Sequence, residues 1–309
     1  MAEKVFMFDG QGAFTPGVGR ALFDKYPKAA EIIKETSRIL DHDITQFLWG
    51  EKAHQTSKQT SIAQPLISAV SLAYAEVLKD LGMKGNVSLG HSLGEVTAMI
   101  YCGVVSFEDG IRLIQKRGAL MEKGGKQGTM MAIINIDIKS LEAMCETAAH
   151  DVAEPVVVAN INAPNQIVIS GSQDSVKRVA QMVTQNHGRA IPLIVGGAWH
   201  SPYLKDVAIE FAEFLDSIKF TKTFLKFYSV VDQKILSDPE AIKDALKHQM
   251  LAQVNWVEAI KNLAALGFKK FVEIGPSKIL KDLVIKIEPK VKTESTALFT
   301  DLGELVKNF

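Results

Sequence analysis

The chain is poor in cysteine and carries no excess charge of either sign. Its 309 residues include two cysteines, Cys102 and Cys145. Two thiols are too few for a disulfide framework or a cysteine-built metal site, and both stand in apolar, helix-like surroundings where a thiol acts as a small hydrophobe. Lys and Arg total 35, as do Asp and Glu, so the formal net charge is zero. A nucleic-acid binder would show a basic excess. No apolar run reads as long enough to cross a bilayer. The opening Met1-Ala2-Glu3-Lys4-Val5-Phe6-Met7-Phe8 has neither the apolar core nor the cleavage site of a leader. These absences predict a cytoplasmic protein without nucleic-acid or membrane partners. What is present is an ordinary globular composition, 47% hydrophobic and 23% charged, sufficient for the core of one large α/β domain or two smaller ones.

The most informative segment is Val87-Ser88-Leu89-Gly90-His91-Ser92-Leu93-Gly94-Glu95. It reads as a buried strand, a tight turn with one serine between two glycines, then a helix, which is the nucleophile-elbow pattern. A sharp strand-to-helix turn leaves no room for side chains beside the serine, hence Gly90 and Gly94. Ser92 then stands exposed at the carboxyl end of the strand, with the following helix N-terminus favouring negative charge. The Leu93 amide is placed to donate to an oxyanion. The alternative is an ordinary turn with an incidental serine.

Strand and helix patterns alternate along the chain. Residues 5–8 read as a strand ending in the glycine-rich Asp9-Gly10-Gln11-Gly12; helices follow over 19–40, with Pro27 at a start, and over 61–81. The elbow strand and its helix come next, then a helix over 107–122. The texture changes at Gly124-Gly125-Lys126-Gln127-Gly128. Strands at 130–136, 156–161, 166–171 and 190–195, with helices at 138–149 and 175–184, make a β-α-β-β-α-β order, the ferredoxin-like split unit. It looks inserted, because alternation resumes with Ser201 as N-cap before Pro202, and with strands at 227–231 and 270–274. The fold class is therefore α/β: a larger hydrolase-like subdomain with a short parallel sheet over 1–126 and 198–309, and a smaller ferredoxin-like subdomain over 127–197.

A nucleophilic serine needs a base within hydrogen-bond reach. Of seven histidines, His200 stands out, in a glycine-bearing loop between a strand and a helix. It reads equally as a catalytic base or a structural histidine. No Asp between Ser92 and His200 sits in a persuasive site loop to complete a Ser-His-Asp triad. A backbone carbonyl holding the imidazole tautomer is the alternative.

With these residues in view, the sequence resembles the malonyl-CoA:acyl carrier protein transacylase family, which includes polyketide synthase acyltransferases. The motifs that carry the resemblance run through nearly the whole chain: Gly10-Gln11-Gly12, Gln64-Pro65, Gly90-His91-Ser92-Leu93-Gly94-Glu95, Gln115-Lys116-Arg117-Gly118, Asn160 to Pro164, Gly197 to Ser201, Gln249 before Val254-Asn255-Trp256, and Glu273-Ile274-Gly275-Pro276. The resemblance implies that Ser92 is the nucleophile and His200 the base. It implies that the backbone carbonyl of Gln249 orients His200, and that the Gln11 and Leu93 amides form the oxyanion hole. Arg117 would grip a malonyl carboxylate, with Trp199, Asn160, Asn162 and Gln64 as further substrate-binding residues. An arginine fork suits that task, because it holds a carboxylate through two charge-assisted bonds and disfavours simple acyl groups that leave it unpaired. No bound cofactor or metal is implied. The substrate would be malonyl-CoA, the partner an acyl carrier protein bearing phosphopantetheine, and the protein a monomer.

Five positions depart from the family pattern. Asp9 stands where Pro is usual, either near the oxyanion hole or facing solvent. Ala13-Phe14 replaces Ser-Gln, Trp199 replaces Phe before the histidine, and Tyr228-Ser229-Val230 replaces Tyr-Ser-Asn. Fatty-acid and polyketide pathways both remain open, with the departures tilting toward the latter. An acyl hydrolase of the same fold is the alternative function, against which Arg117 speaks, and a catalytically silent carrier-binding module is a third. Lys116, Lys123, Lys126 and Arg189 are candidates for carrier docking or plain surface charges.

Overall fold

Short apolar segments supply the strands. In chain order these are β1 (Lys4–Phe8), β2 (Val87–Gly90), β3 (Gly128–Ile134), β4 (Val156–Ala163), β5 (Gln166–Ser172), β6 (Arg189–Pro192), β7 (Lys226–Ser229), β8 (Lys234–Leu236), β9 (Val254–Asn255), β10 (Lys270–Ile274) and β11 (Lys292–Ser295). The computed structural model describes residues 3–56, 59–223 and 225–309. β1, β2 and β10 are apolar and buried almost throughout, as strands covered on both faces must be. They form the centre of a six-stranded sheet in the order β11-β10-β1-β2-β7-β8. All its pairings are parallel except β7 with β8. The site therefore gathers beyond the carboxyl ends of β1, β2 and β10, where α/β sheets hold their ligands.

The helix Thr60–Asp80 packs against this sheet and against the helices Pro27–Leu40 and Phe107–Gly125. By length and composition it is apolar enough to cross a membrane, contrary to the expectation that no such run exists; 78% of its most apolar stretch is buried inside the fold, so it serves as a core helix. The expected helix over 19–40 is two, Arg20–Lys25 and Pro27–Leu40. Tyr26 between them is extended, because the ring of Pro27 disfavours helical backbone in the preceding residue.

The second sheet has the order β6-β3-β5-β4-β9. Its first four strands pair antiparallel, and with the helices Ile138–Val152 and Gln173–Gln185 they reproduce the ferredoxin-like order. The fifth strand comes from outside residues 127–197: β9 pairs parallel with β4 through Asn160↔Val254 and Ile161↔Asn255. A two-residue strand carries too little pattern to be read from sequence. Ser201 does not cap the next helix with its side chain. Its hydroxyl turns back to donate to the Ala198 carbonyl at 2.8 Å, and a 3-10 turn, Pro202–Leu204, precedes the helix Lys205–Asp216. Both cysteines are buried, and burial pushes each thiol up to about 12.

Candidate active site

The elbow is built by close approach of backbone. A Cβ on Gly90 would overlap the Gly94 carbonyl, and one on Gly94 would overlap the carbonyl of Phe8 at the end of β1. Ser92 between them has φ +53°, a conformation that L-residues adopt at a cost. The turn presents the Ser92 hydroxyl at the start of the helix Leu93–Tyr101. Among the described residues, the amides of Gln11 and Leu93 donate to no other backbone group, which leaves both for a ligand.

His200 is also held at positive φ, +54°, and is buried. Its Nε2 lies 2.7 Å from Ser92 Oγ. Its Nδ1 lies 3.0 Å from the backbone carbonyl of Ala252. This corrects the expected partner: the Ala252 carbonyl makes the hydrogen bond, and the Gln249 carbonyl contributes less. The reason is local. The helix Pro239–Gln249 ends at Gln249, and the chain turns through Met250 and Leu251, so the carbonyl three residues further on faces the ring. An Nδ1–H donated to that carbonyl leaves Nε2 as the acceptor facing Ser92. Burial, the Arg117 cation and His91 lower His200 to about 3, so the ring is neutral at neutral pH.

Arg117 is 0% exposed and makes no salt bridge to a carboxylate among the described residues. Its Nε donates to Gln249 Oε1 at 3.0 Å, Nη1 to Gln64 Oε1 at 2.8 Å, and Nη2 to Ser92 Oγ at 3.1 Å. Three of the five guanidinium N–H groups are thus bonded, which leaves two without a partner among the described residues. Burial lowers Arg117 to about 10, partly opposed by Glu95, so it remains a cation. A buried cation without a direct carboxylate partner is costly, and such cost is typical of a site awaiting an anion.

Gln249 earns its place through its side chain. Besides accepting from Arg117, it donates to the Ser92 carbonyl at 2.7 Å and to Glu95 Oε2 at 3.0 Å. Glu95 is buried, raised by desolvation, and accepts from the Val230 amide at 2.7 Å and the Ser229 hydroxyl at 3.2 Å. Sequence reasoning missed Glu95 and Ala252 as site residues. Glu95 closes the Gly90–Glu95 motif and is the one acid in a buried apolar helix, which was the available signal; a backbone carbonyl leaves none. At the Val230 departure it is the backbone amide of that residue that serves Glu95.

Comparisons with known proteins identify the family. The acyl transferase domain model matches residues 5–302. The chain belongs to the acyl transferase family. It is similar to the malonyl CoA-acyl carrier protein transacylase of Bacillus subtilis strain 168, with 32% identity over 296 residues covering 95% of this chain and 93% of the relative. The enzyme of the same name from Escherichia coli K12 is 34% identical over 292 residues, 93% of each. A malonyl-transacylase solved in complex with a type II polyketide synthase acyl carrier protein superposes with a TM-score of 0.93 at 29% identity, covering 99% of this chain and 98% of that one.

The acyl transferase opens to solvent through a cavity of about 470 Å³ lined by Gln11, Gln64, His91, Ser92, Leu93, Asn160, Asn162, Trp199 and His200, among others. All the predicted substrate-binding residues except Arg117 line it, and Arg117 reaches its floor through Ser92 and Gln64. Asn162 Oδ1 accepts from His91 Nε2 at 2.8 Å. Trp199 lays its benzo edge against Gly125 and Gly197, where no side chain would fit, and its indole N–H has no partner among the described residues. Another concavity, of about 520 Å³ beside Leu40, Ile62, Pro65 and Arg112, contains neither Ser92 nor His200. Of the docking candidates, Lys116 and Lys123 both pair with Glu210, at 2.6 Å and 3.3 Å, so part of their charge is spent within the chain. Among the described residues no group of three His, Cys, Asp or Glu side chains is arranged to hold a metal.

Proposed function

We propose that the chain transfers a malonyl group from malonyl-CoA, through an ester on Ser92, to the phosphopantetheine thiol of an acyl carrier protein. The observation that carries this reading is the fully buried Arg117, which bonds the nucleophile and keeps two N–H groups unpaired. A monoacyl thioester leaves that cation unanswered; a malonyl carboxylate completes it.

The chemistry is ping-pong acyl transfer by a Ser-His dyad. His200 Nε2 takes the Ser92 proton as Oγ attacks the thioester carbonyl. The oxyanion is held by the Gln11 and Leu93 amides. The intermediate collapses, the C–S bond breaks, and His200 returns the proton to the CoA sulfur. In the second half-reaction the phosphopantetheine thiol gives its proton to His200 and attacks the ester, and Ser92 leaves with that proton. No cofactor or metal takes part, since a thioester is already activated. The Ala252 carbonyl stabilises the imidazolium in place of a carboxylate.

Arg117 also links substrate choice to basicity. After burial, its charge is the next cause of the low basicity of His200. A bound malonyl carboxylate neutralises that charge, so the dicarboxylic substrate raises the basicity of its own catalyst. Similarity to a transacylase solved with a polyketide carrier protein supports a carrier-protein partner. We place the enzyme in the cytoplasm as a monomer in fatty-acid or polyketide synthesis.

Intact-protein mass spectrometry after brief incubation with malonyl-CoA tests this. A malonyl adduct that requires Ser92, is weak from acetyl-CoA and vanishes on adding a carrier protein is the expected result. Free acid released from acetyl thioesters, with no stable malonyl adduct, would refute it in favour of a hydrolase.

A further inference from the structure

The loop after β1 contains an acid for which the acyl-transfer chemistry has no use. Asp9, found where the resembling family usually has proline, is 1% exposed, so it does not face solvent. Ser277 Oγ lies 2.9 Å from Asp9 Oδ1 and 2.7 Å from Glu273 Oε1. A serine hydroxyl has one proton and can donate to only one of these carboxyls. If both were ionised, one of the two oxygen pairs would meet with no hydrogen between them. Glu273 is the better served, because its Oε2 also accepts the Lys281 amide at 2.7 Å, in the first turn of the helix Ile279–Ile287. Asp9 Oδ2 is buried and has no partner among the described residues. The hydrogens balance when Asp9 keeps its proton: Asp9 donates to Ser277 Oγ, and Ser277 donates to the Glu273 carboxylate.

We propose that Asp9 is a positioning residue, a neutral carboxylic acid that donates through Ser277 to Glu273 and so fastens the Gln11 turn to the end of β10. The role assigned to Gln11 rests on the acyl-transfer reading; the protonation of Asp9 does not. The surroundings agree. The carbonyls of Phe8 and Asp9 press on Gly94 of the elbow, and a Cβ on Gly275 would overlap Asp9 Oδ2. Displacement of Asp9 is therefore felt by the nucleophile turn and the oxyanion turn together. Burial comes first, then the Glu273 charge and its side-chain contact, in pushing Asp9 well above the usual carboxylate range, partly opposed by hydrogen bonding from Ser277. From the helix Thr60–Asp80 it is faced by the Ser71 hydroxyl and the Tyr74 phenol, itself pushed up to about 12 by burial and, to a lesser degree, by Asp9. The helix Ile279–Ile287 contributes the Lys281 amide to Glu273. Ionisation of Asp9 at high pH would set two buried carboxylates against one another and place a negative charge behind the oxyanion hole, opposing the charge that forms there.

The sign follows directly: the neutral acid supports acylation, and the support is lost as pH rises through the raised pKa. Infrared difference spectra of the full-length protein, wild type against Asp9→Asn with carboxyl-labelled aspartate, read the proton itself. The expected result is a neutral-carboxyl C=O band at neutral pH that is absent from Asp9→Asn. In Ser277→Ala the band moves to higher frequency, because the acid has lost its acceptor. The burst of CoA released from malonyl-CoA reads the role. In wild type the burst falls about tenfold per pH unit beyond an alkaline midpoint, whereas Asp9→Asn, whose amide donates to Ser277 at every pH, stays level. An ionised Asp9 at neutral pH, a band unmoved in Ser277→Ala, or an alkaline limb that is absent from wild type or unchanged in Asp9→Asn would overturn the proposal. Because the band is read without substrate, failure of malonyl transfer and failure of the relay are distinguishable.

Discussion

Replacing Arg117 by alanine tests the site at its centre. The two N–H groups left unpaired by Gln249, Gln64 and Ser92 are those available to a malonyl carboxylate. Hydrogen bonds to charged groups contribute about 1.5–3 kcal/mol each, so two of them amount to about 3–6 kcal/mol. At about 1.4 kcal/mol per factor of ten, kcat/KM for malonyl-CoA should fall by about two to four orders of magnitude. Acetyl-CoA never used those bonds and gains from removal of the unpaired cation, so its kcat/KM should hold or rise. The acid limb should also shift upward in pH, since the charge that lowers His200 is gone. The variant has a folding cost, because Gln249 Oε1 and Gln64 Oε1 lose their donor, at about 1–3 kcal/mol each. Thermal unfolding must therefore accompany the kinetics. Arg117→Lys keeps the charge without the planar fork and should lie between the two in malonyl rate. The assay is CoA release from each thioester, with intact mass confirming the acyl group on Ser92. A malonyl loss below about tenfold, or an unchanged malonyl-to-acetyl ratio in a folded variant, would show that Arg117 is not the carboxylate ligand.

Three further outcomes are expected. Gly94→Ala should abolish both soluble folded protein and Ser92 acylation, because its Cβ has nowhere to go but into the Phe8 carbonyl; an active, stable variant would disprove the elbow geometry. Acid should weaken the fold through His200: its folded pKa, about 3, lies below its ordinary value, so the unfolded chain binds the extra proton between the two. Stability should thus decline as pH falls through that window, by up to about 1.4 kcal/mol per pH unit, and the decline should flatten in His200→Gln in denaturant titrations. Trp199→Phe removes an indole N–H that has no partner among the described residues, at a cost of less than about 1.5 kcal/mol, and should raise acylation by α-branched malonyl thioesters relative to malonyl-CoA in competition assays.

Much of this arrangement was legible in the chain because it rests on pattern. The elbow is written in Gly90, Ser92 and Gly94, whose spacing is forced by backbone contact, and the split unit of the second sheet in alternating apolar runs. Arg117 was visible only through its motif, since nothing in the periodicity of Phe107–Gly125 says that one arginine points inward while Arg112 stays at the surface with Glu108. The carbonyl of Ala252 was not legible, because every residue has one and only the path of the chain after a helix end decides which meets His200. Asp9 read as a blemish near the oxyanion hole or as a solvent-facing charge. Its burial depends on Ser277 and Glu273, some 270 residues away in sequence and adjacent only because β1 pairs with β10.

The strand β9 has a practical consequence for anyone recombining such enzymes. The segment from Gln249 to Asn255 is stitched to both sheets: Gln249 to the elbow, Ala252 to His200, Gln253 to the Val158 carbonyl at 3.1 Å, and Val254 to Asn160. Residues 127–197 are contiguous in sequence and invite exchange between relatives as a cassette. A graft cut at those borders would join a foreign β4 to a native β9, and any mismatch of register would be delivered straight to the carbonyl that orients the base. Chimaeras that carry residues 249–255 along with the insert should retain a working His200, whereas those that split them should fold and yet acylate poorly.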